Sequence, residues 1–380
     1  PPPNENNEAL RRGAQVLGIP AAAIARNVRG CWNLGSCGLG CPTNAKQSML
    51  VTTLPTALDA GARLLVQMRA LRYVLEGQRI RALECVPVGL DSAPQGEHTV
   101  RIEARHHVLA GGAINSPGVL LRSGAPDPNG LLGRRTFLHP VVLSTARFAQ
   151  RIEGWAGAPQ TIYTDHFLHG RPLDGPIGFK LEAPPLHPVI AAATLAGHGL
   201  EQAAQWQAFA HTQVLIALLR DGFHPEAAGG VVQLRGDGTP VLDYPLTDYV
   251  MAGAREAYLR MAEIQFAAGA EAVMPIHEAA RPYARWIEAK NGIETLPMKP
   301  YLTRIVSAHV MGGCAMAADA ARGVVKPDGQ HWQLANLSVH DGSIFPTSIG
   351  ANPQLSIYGI VNRLATQLAQ RLGARPVALA

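Results

Sequence analysis

The hydrophobic positions of this 380-residue chain change texture along its length. Thr53–Ala60 has the spacing of a helix, and Ala62–Leu75, after Gly61, reads as a strand-like run. Val100–Leu109 alternates with the two-residue period of a strand and ends in Val108-Leu109-Ala110 ahead of Gly111-Gly112. A helix follows. Ser116 is its expected N-cap, Pro117 its first residue and Ser123-Gly124 its stop. Strand, glycine turn and helix in that order predict α/β nucleotide-binding architecture.

From about Val141 to Pro300 the pattern is different, with short strands, a Pro184-Pro185 break and one amphipathic helix. In that helix Met251, Ala254, Tyr258, Met261 and Ile264 keep 3–4 spacing, while Arg255, Arg260 and Glu263 are expected to face outward. The α/β texture resumes after Arg304. Leu337–His340 is a short strand. Gln354–Arg371 is a helix with Ile357, Ile360, Val361, Leu364 and Leu368 on one face. No internal repeat or low-complexity tract appears.

Composition narrows the class. Apolar residues make up 47% and charged residues only 16%, and Gly (39) and Pro (29) are plentiful without collagen-like period. Net charge is +5, but the 33 basic residues are scattered with little aromatic interleaving, so no nucleic-acid partner is expected. No apolar run approaches the length of a membrane span. The chain opens Pro1-Pro2-Pro3-Asn4, without the basic and apolar regions of a leader. Three of the five cysteines lie in Cys31-x5-Cys37-x3-Cys41. Only the second spacing suits a metal knuckle and no histidine is near, so a structural glycine-rich loop is expected and a metal is not.

Several chemical templates fail. There is no Gly-x-Ser-x-Gly elbow, no P-loop and no Gly-x-Gly-x-x-Gly; the nearest, Gly38-x-Gly40-x-x-Thr43, breaks at its third position. His277-Glu278-Ala-Ala-Arg281 lacks the second histidine of a zinc-protease helix. Other residues do offer chemistry. Asn352-Pro353 reads as an N-cap and first helical residue, and a helix N-terminus suits an electron-rich group. His309, ahead of Gly312-Gly313, has the residue type for proton exchange with a hydroxyl. Asp341-Gly342 reads as a turn after a strand.

Two stretches carry a family resemblance. Ser307-Ala-His309-Val-Met-Gly-Gly-Cys314 is followed by His340-Asp341-Gly342-Ser343 and by Ser348-Ile-Gly350-Ala-Asn352-Pro353-Gln354. Upstream stands Gly112-Ala-Ile-Asn-Ser116-Pro117-Gly-Val-Leu120-Leu121-Arg-Ser123-Gly124. Together these resemble the glucose–methanol–choline (GMC) oxidoreductases, FAD-dependent alcohol oxidases and dehydrogenases. The loop from Cys37 to Ser48 is similar to the long-chain alcohol oxidase-like branch.

The resemblance implies an α/β fold, α+β overall: an incomplete Rossmann-like FAD-binding domain (1–140 and 301–380) and a substrate domain with an antiparallel sheet (141–300). It implies FAD as cofactor and a small-molecule alcohol as substrate, oxidised by hydride transfer to flavin N5, with oxygen or a quinone-type carrier as acceptor. His309 and Asn352 would be catalytic, His309 taking or sharing the hydroxyl proton and Asn352 orienting the oxygen. Ala70, Gly112, Asp341, Gly342, Asn352 and Pro353 would line the cofactor. Glu182 is a weaker candidate for a cavity carboxylate, and His139-Pro140 matches a pair read as structural. The family's strand–Gly-x-Gly-x-x-Gly–helix unit has no counterpart in this sequence. The expectation is therefore the C-terminal majority of such an enzyme, the alternative a non-catalytic fragment unable to hold FAD alone.

Overall fold

The computed structural model describes residues 1–374 except 97 and 196. It is a mixed α/β structure whose residues cluster into two compact units. Unit 1 comprises Pro1–Arg63, Pro140–Arg220 and Leu246–Val306; unit 2 comprises Leu64–His139, Asp221–Pro245 and the chain from Ser307. Residues 1–63 and 221–245 thus each cluster with the unit opposite to the one the sequence boundaries assign them.

Unit 1 is built on a six-stranded sheet whose strands pair antiparallel. Its long central strand, Thr212–Leu219, pairs on one side with Val141–Arg147 and on the other with Phe179–Glu182. One face is covered by the amphipathic helix, which runs Asp248–Ala267 and is capped by the Thr247 side chain. The five expected inward residues are all buried, and Met251, Met261 and Ile264 so removed from water contribute about 1.5–3 kcal/mol each. Within this core Tyr258 donates its hydroxyl to the Ile276 carbonyl (2.8 Å), and Ser144 pairs with Gln265 (2.7 Å). Arg260 faces out to Glu256 and Glu263, as expected. Arg255 does not. Its guanidinium donates to the carbonyls of Ile293, Glu294 and Leu296, satisfying the C-terminal turn of the helix Trp286–Thr295.

A further helix, Glu5–Val16, was not expected. Asn4 caps it by accepting the Asn7 amide. Its polar first turn is buried because it supplies sheet contacts: Asn7 Oδ1 accepts the Thr161 and Ile162 amides, and Asn6 Oδ1 accepts that of Val214. The Asn4-Glu-Asn-Asn7 signature resembles a solvated start until those distant partners are known.

Unit 2 holds the meander Met68–Glu76, Arg79–Pro87 and Val100–Ile102, and a parallel pair, His107–Leu109 with Leu337–Val339. The expected strand 62–75 begins only at Met68. The alternating run 100–109 is two strands in two different sheets, because its pattern of sides is interrupted between Ile102 and His107. The following helix spans Gly112–Arg122, so Pro117 lies inside it and Ser116 does not cap it. An acceptor from far along the chain caps the start instead. The terminal helix, Gln354–Arg371, has the expected bounds; Leu364 enters a core with Leu120, Leu337, Val339 and Ile344, and Leu368 on the same face is buried.

Candidate active site

The two parallel strands of unit 2 end together, Val339 beside Leu109. Beyond their carboxyl ends lie Gly111-Gly112 and the helix on one side, and Asp341-Gly342 on the other. That is where open parallel sheets place their ligands. Asp341 ties the two together. Its Oδ2 accepts the Gly112 amide at 2.9 Å and the Ser116 hydroxyl, and its Oδ1 accepts the Ser343 amide at 2.8 Å. Ser116 in turn accepts the Gly111 amide at 2.9 Å. A buried carboxylate at a helix N-terminus is favoured by the helix dipole, which explains why the helix starts at Gly112 rather than Ser116.

The histidine motif runs alongside. The amides of Gly312, Cys314 and Met316 donate to the carbonyls of Gly342, Ser343 and Ile344 at 3.0, 2.9 and 2.8 Å. A Cβ on Gly312, whose φ is +87°, would stand 2.1 Å from the Arg135 carbonyl oxygen, so only glycine permits this approach. Burial between these segments pushes the Cys314 thiol well above its usual range, with Asp341 adding to the effect; Cys314 is inert packing. Val310–Met311 pairs antiparallel with Phe137–Leu138, which brings His309 against His139. The rings meet edge to face, centroids 5.2 Å apart, with the two Nδ1 atoms 3.1 Å apart. His139 Nε2 accepts the Gly350 amide at 3.2 Å, and Gly350 leads to Asn352 and the terminal helix. The strand Phe137–Leu138 is backed by Tyr244, whose hydroxyl accepts the Leu138 amide (3.4 Å) and donates to buried Asp221. Burial raises both the Asp221 carboxyl and the Tyr244 phenol.

His309, Gly112, Asp341 and Gly342 therefore fall in one hydrogen-bonded assembly in unit 2, with the turn to Asn352 tied to it through His139. His309 and Asn352 are half-buried and Pro353 is buried. The helix begins at Gln354, and Pro353 rather than Asn352 holds the cap position. Ala70 stands in the meander, where its carbonyl accepts from Arg122 at 3.3 Å. The His139 ring bridges two motif segments, in keeping with the structural role read from the sequence, and no spacing rule signals its partners.

Gly112 tests the fit to a dinucleotide. Its amide is already taken by Asp341, so it is no phosphate donor. Its φ is +82° and a Cβ there would meet nothing within 4 Å, leaving an open face against which a ligand's chain can pass. An extended ligand fits against that face, whereas a pyrophosphate finds no free amide at Gly112.

Unit 1 has a separate cavity of about 470 Å³ between Val141–Arg147, Ala272–Pro275 and the helix Gly199–Gln207. Glu182 does not line it. It is fully buried, 2.8 Å from Lys180 Nζ and accepting from Gln160 at 2.8 Å, so it is not a surface residue. The five cysteines are free thiols. Cys41 is lowered to about 7 by the Lys46 amide and the Thr43 hydroxyl. No three or more His, Cys, Asp or Glu among the described residues are placed to hold a metal, and no described helix is long and apolar enough to cross a membrane.

Fold and motifs together define a GMC oxidoreductase: the family's N-terminal model matches residues 1–141 and its C-terminal model residues 225–360, and the chain belongs to that family. Among curated relatives, long-chain-alcohol oxidase FAO1 of Arabidopsis thaliana is 27% identical over 96% of this chain and 50% of its own length. An uncharacterized GMC-type oxidoreductase, y4nJ of Sinorhizobium fredii, is 27% identical over 94% of this chain and 67% of its own. The chain spans about half the length of the long-chain-alcohol oxidases it matches. Among solved structures, pyridoxine 4-oxidase from Mesorbium loti has a TM-score of 0.63 at 17% identity, covering 97% of this chain and 71% of that one. Formate oxidase has 0.64 at 13%, covering 96% and 70%. At those identities the likeness is one of fold.

Proposed function

We propose that the chain forms the greater part of an FAD-dependent oxidoreductase that converts an alcohol to the carbonyl compound. The observation that carries this reading is the assembly in unit 2, where the segments of His309, Asp341-Gly342 and Gly350–Asn352 are joined by direct hydrogen bonds. FAD, when bound, supplies the hydride acceptor at N5. His309 meets the carbinol oxygen and exchanges its proton, as a half-buried imidazole with one edge fixed can do. Asn352 holds the same oxygen, keeping the reacting carbon in line. Asp341 keeps Gly112 and Ser343 in place, and Ala70, Gly342 and Pro353 line the cofactor. Unit 2 is the flavin-side body in this reading, and unit 1, with its antiparallel sheet and cavity, the substrate domain. The similarity to long-chain-alcohol oxidases favours a primary aliphatic alcohol.

The test is anaerobic mixing of FAD-loaded protein with short- and long-chain primary alcohols while flavin absorbance is followed. Bleaching by an alcohol, with aldehyde formed in equal amount, is expected. The second reading, a folded but non-catalytic body unable to hold FAD alone, is favoured by the lack of a Gly-x-Gly-x-x-Gly in the chain; purified protein that takes up no flavin when FAD is added would establish it.

A further inference from the structure

His139 is 1% exposed, and both its ring nitrogens are engaged. Its Nε2 accepts the Gly350 backbone N–H at 3.2 Å; that amide also reaches Ser348 Oγ at 3.4 Å. A backbone amide is always a donor, so His139 Nε2 carries no proton while the bond holds. A neutral imidazole has one N–H, which places the His139 proton on Nδ1. Nδ1 of His309 lies 3.1 Å away, and two nitrogens at that distance share a single proton. His309 Nδ1 is therefore the acceptor, and the proton of His309 itself sits on Nε2.

Other proton arrangements conflict with this geometry. A His309 cation would set two N–H groups against each other between the rings. A His139 cation, or the reversed tautomer of the pair, would set the His139 Nε2–H against the Gly350 N–H. We infer that His139 is a positioning residue that holds His309 in its Nε2–H tautomer through the Nδ1–Nδ1 bond and the Gly350 amide.

The consequence for alcohol chemistry rests on the function proposed above. In this tautomer His309 approaches a carbinol oxygen as an N–H donor. To accept the hydroxyl proton at Nε2, His309 must first give up its Nε2 proton to solvent while the shared proton crosses from His139 Nδ1 to His309 Nδ1; His139 then takes a proton from solvent at Nε2, and Gly350 must release. Gly350 stands two residues before Asn352, so the base form of His309 is coupled to the turn that carries the second catalytic candidate.

The tautomer can be read directly, without substrate. Protein carrying ¹⁵N-histidine is examined by long-range ¹H–¹⁵N correlation, with His309 assigned by loss of its signals in His309→Gln. Wild type should show His309 with a bare Nδ1 and a protonated Nε2. His139→Asn, whose amide nitrogen replaces Nδ1 as donor, should keep that pattern. His139→Phe, which fills the space without a donor, should shift His309 to a mixture of tautomers or to Nδ1–H. A protonated Nδ1 in wild type, or an unchanged pattern in His139→Phe, overturns the inference. Should the Phe variant not fold, the wild-type spectrum still decides. Flavin reduction plays no part in this measurement, so its failure and the failure of the alcohol reading are distinguishable.

Discussion

Replacing Asp341 by asparagine isolates the bond set that joins the helix Gly112–Arg122 to the turn after Leu337–Val339. In the native protein one carboxylate serves three donors: the Gly112 amide and Ser116 hydroxyl on Oδ2, and the Ser343 amide on Oδ1. In Asp341→Asn one oxygen becomes an NH₂ group, which can accept nothing. If the amide nitrogen takes the Oδ1 place, the Ser343 amide is left facing a donor in a buried site, which costs about 1–3 kcal/mol. Loss of the negative charge at the helix N-terminus adds about 0.5–1 kcal/mol. The sum is a destabilisation of about 1.5–4 kcal/mol, read as a lower midpoint in urea unfolding followed by circular dichroism, at unchanged slope. Hydrogen exchange at the Gly112 and Ser343 amides should quicken in parallel. A loss below about 0.5 kcal/mol would refute the view that this carboxylate is the tertiary cap that starts the helix.

Two further outcomes follow from the same structure. Burial lowers His331 from 6.5 to about 4, so the unfolded chain takes up its proton first as pH falls. The contribution of His331 is then complete above pH 6.5 and is lost between 6.5 and 4, at most about 3 kcal/mol. Thermal melting across that range should be flattened by His331→Asn, whose carbonyl can still accept the Gln333 and Leu334 amides; an unchanged slope would contradict the assignment. Titrated with FAD and followed by flavin fluorescence, the 380-residue chain should bind weakly, because its sequence holds no Gly-x-Gly-x-x-Gly to cradle the pyrophosphate. Micromolar or tighter binding would contradict that.

The sequence carried the fold where periodicity was unbroken. The helix over Met251, Tyr258 and Ile264 and the terminal helix over Leu364 and Leu368 could be drawn from spacing alone. It was silent where the deciding partner is remote. The helix at Gly112 begins a turn before its local signals because Asp341, more than two hundred residues on, supplies the cap. Asn6 and Asn7 read as solvated positions until Val214 and Thr161 are brought to them. Arg255 reads as an outward charge until the carbonyls at Ile293–Leu296 are in view. At the candidate site, motif likeness singled out His309 and Asp341, since each lies in a contiguous signature. His139 was legible only as half of a His-Pro pair, because its two contacts, to His309 and Gly350, join segments far apart in the chain.

The most direct measurement is the single-turnover rate of flavin reduction in FAD-loaded protein, with a primary alcohol and its C1-dideuterated form, for wild type and His309→Ala. The account predicts reduction that slows on deuteration, and a further fall of roughly 10²–10⁴ in His309→Ala, the usual size of a lost acid–base contribution. Near-wild-type reduction in His309→Ala would contradict it.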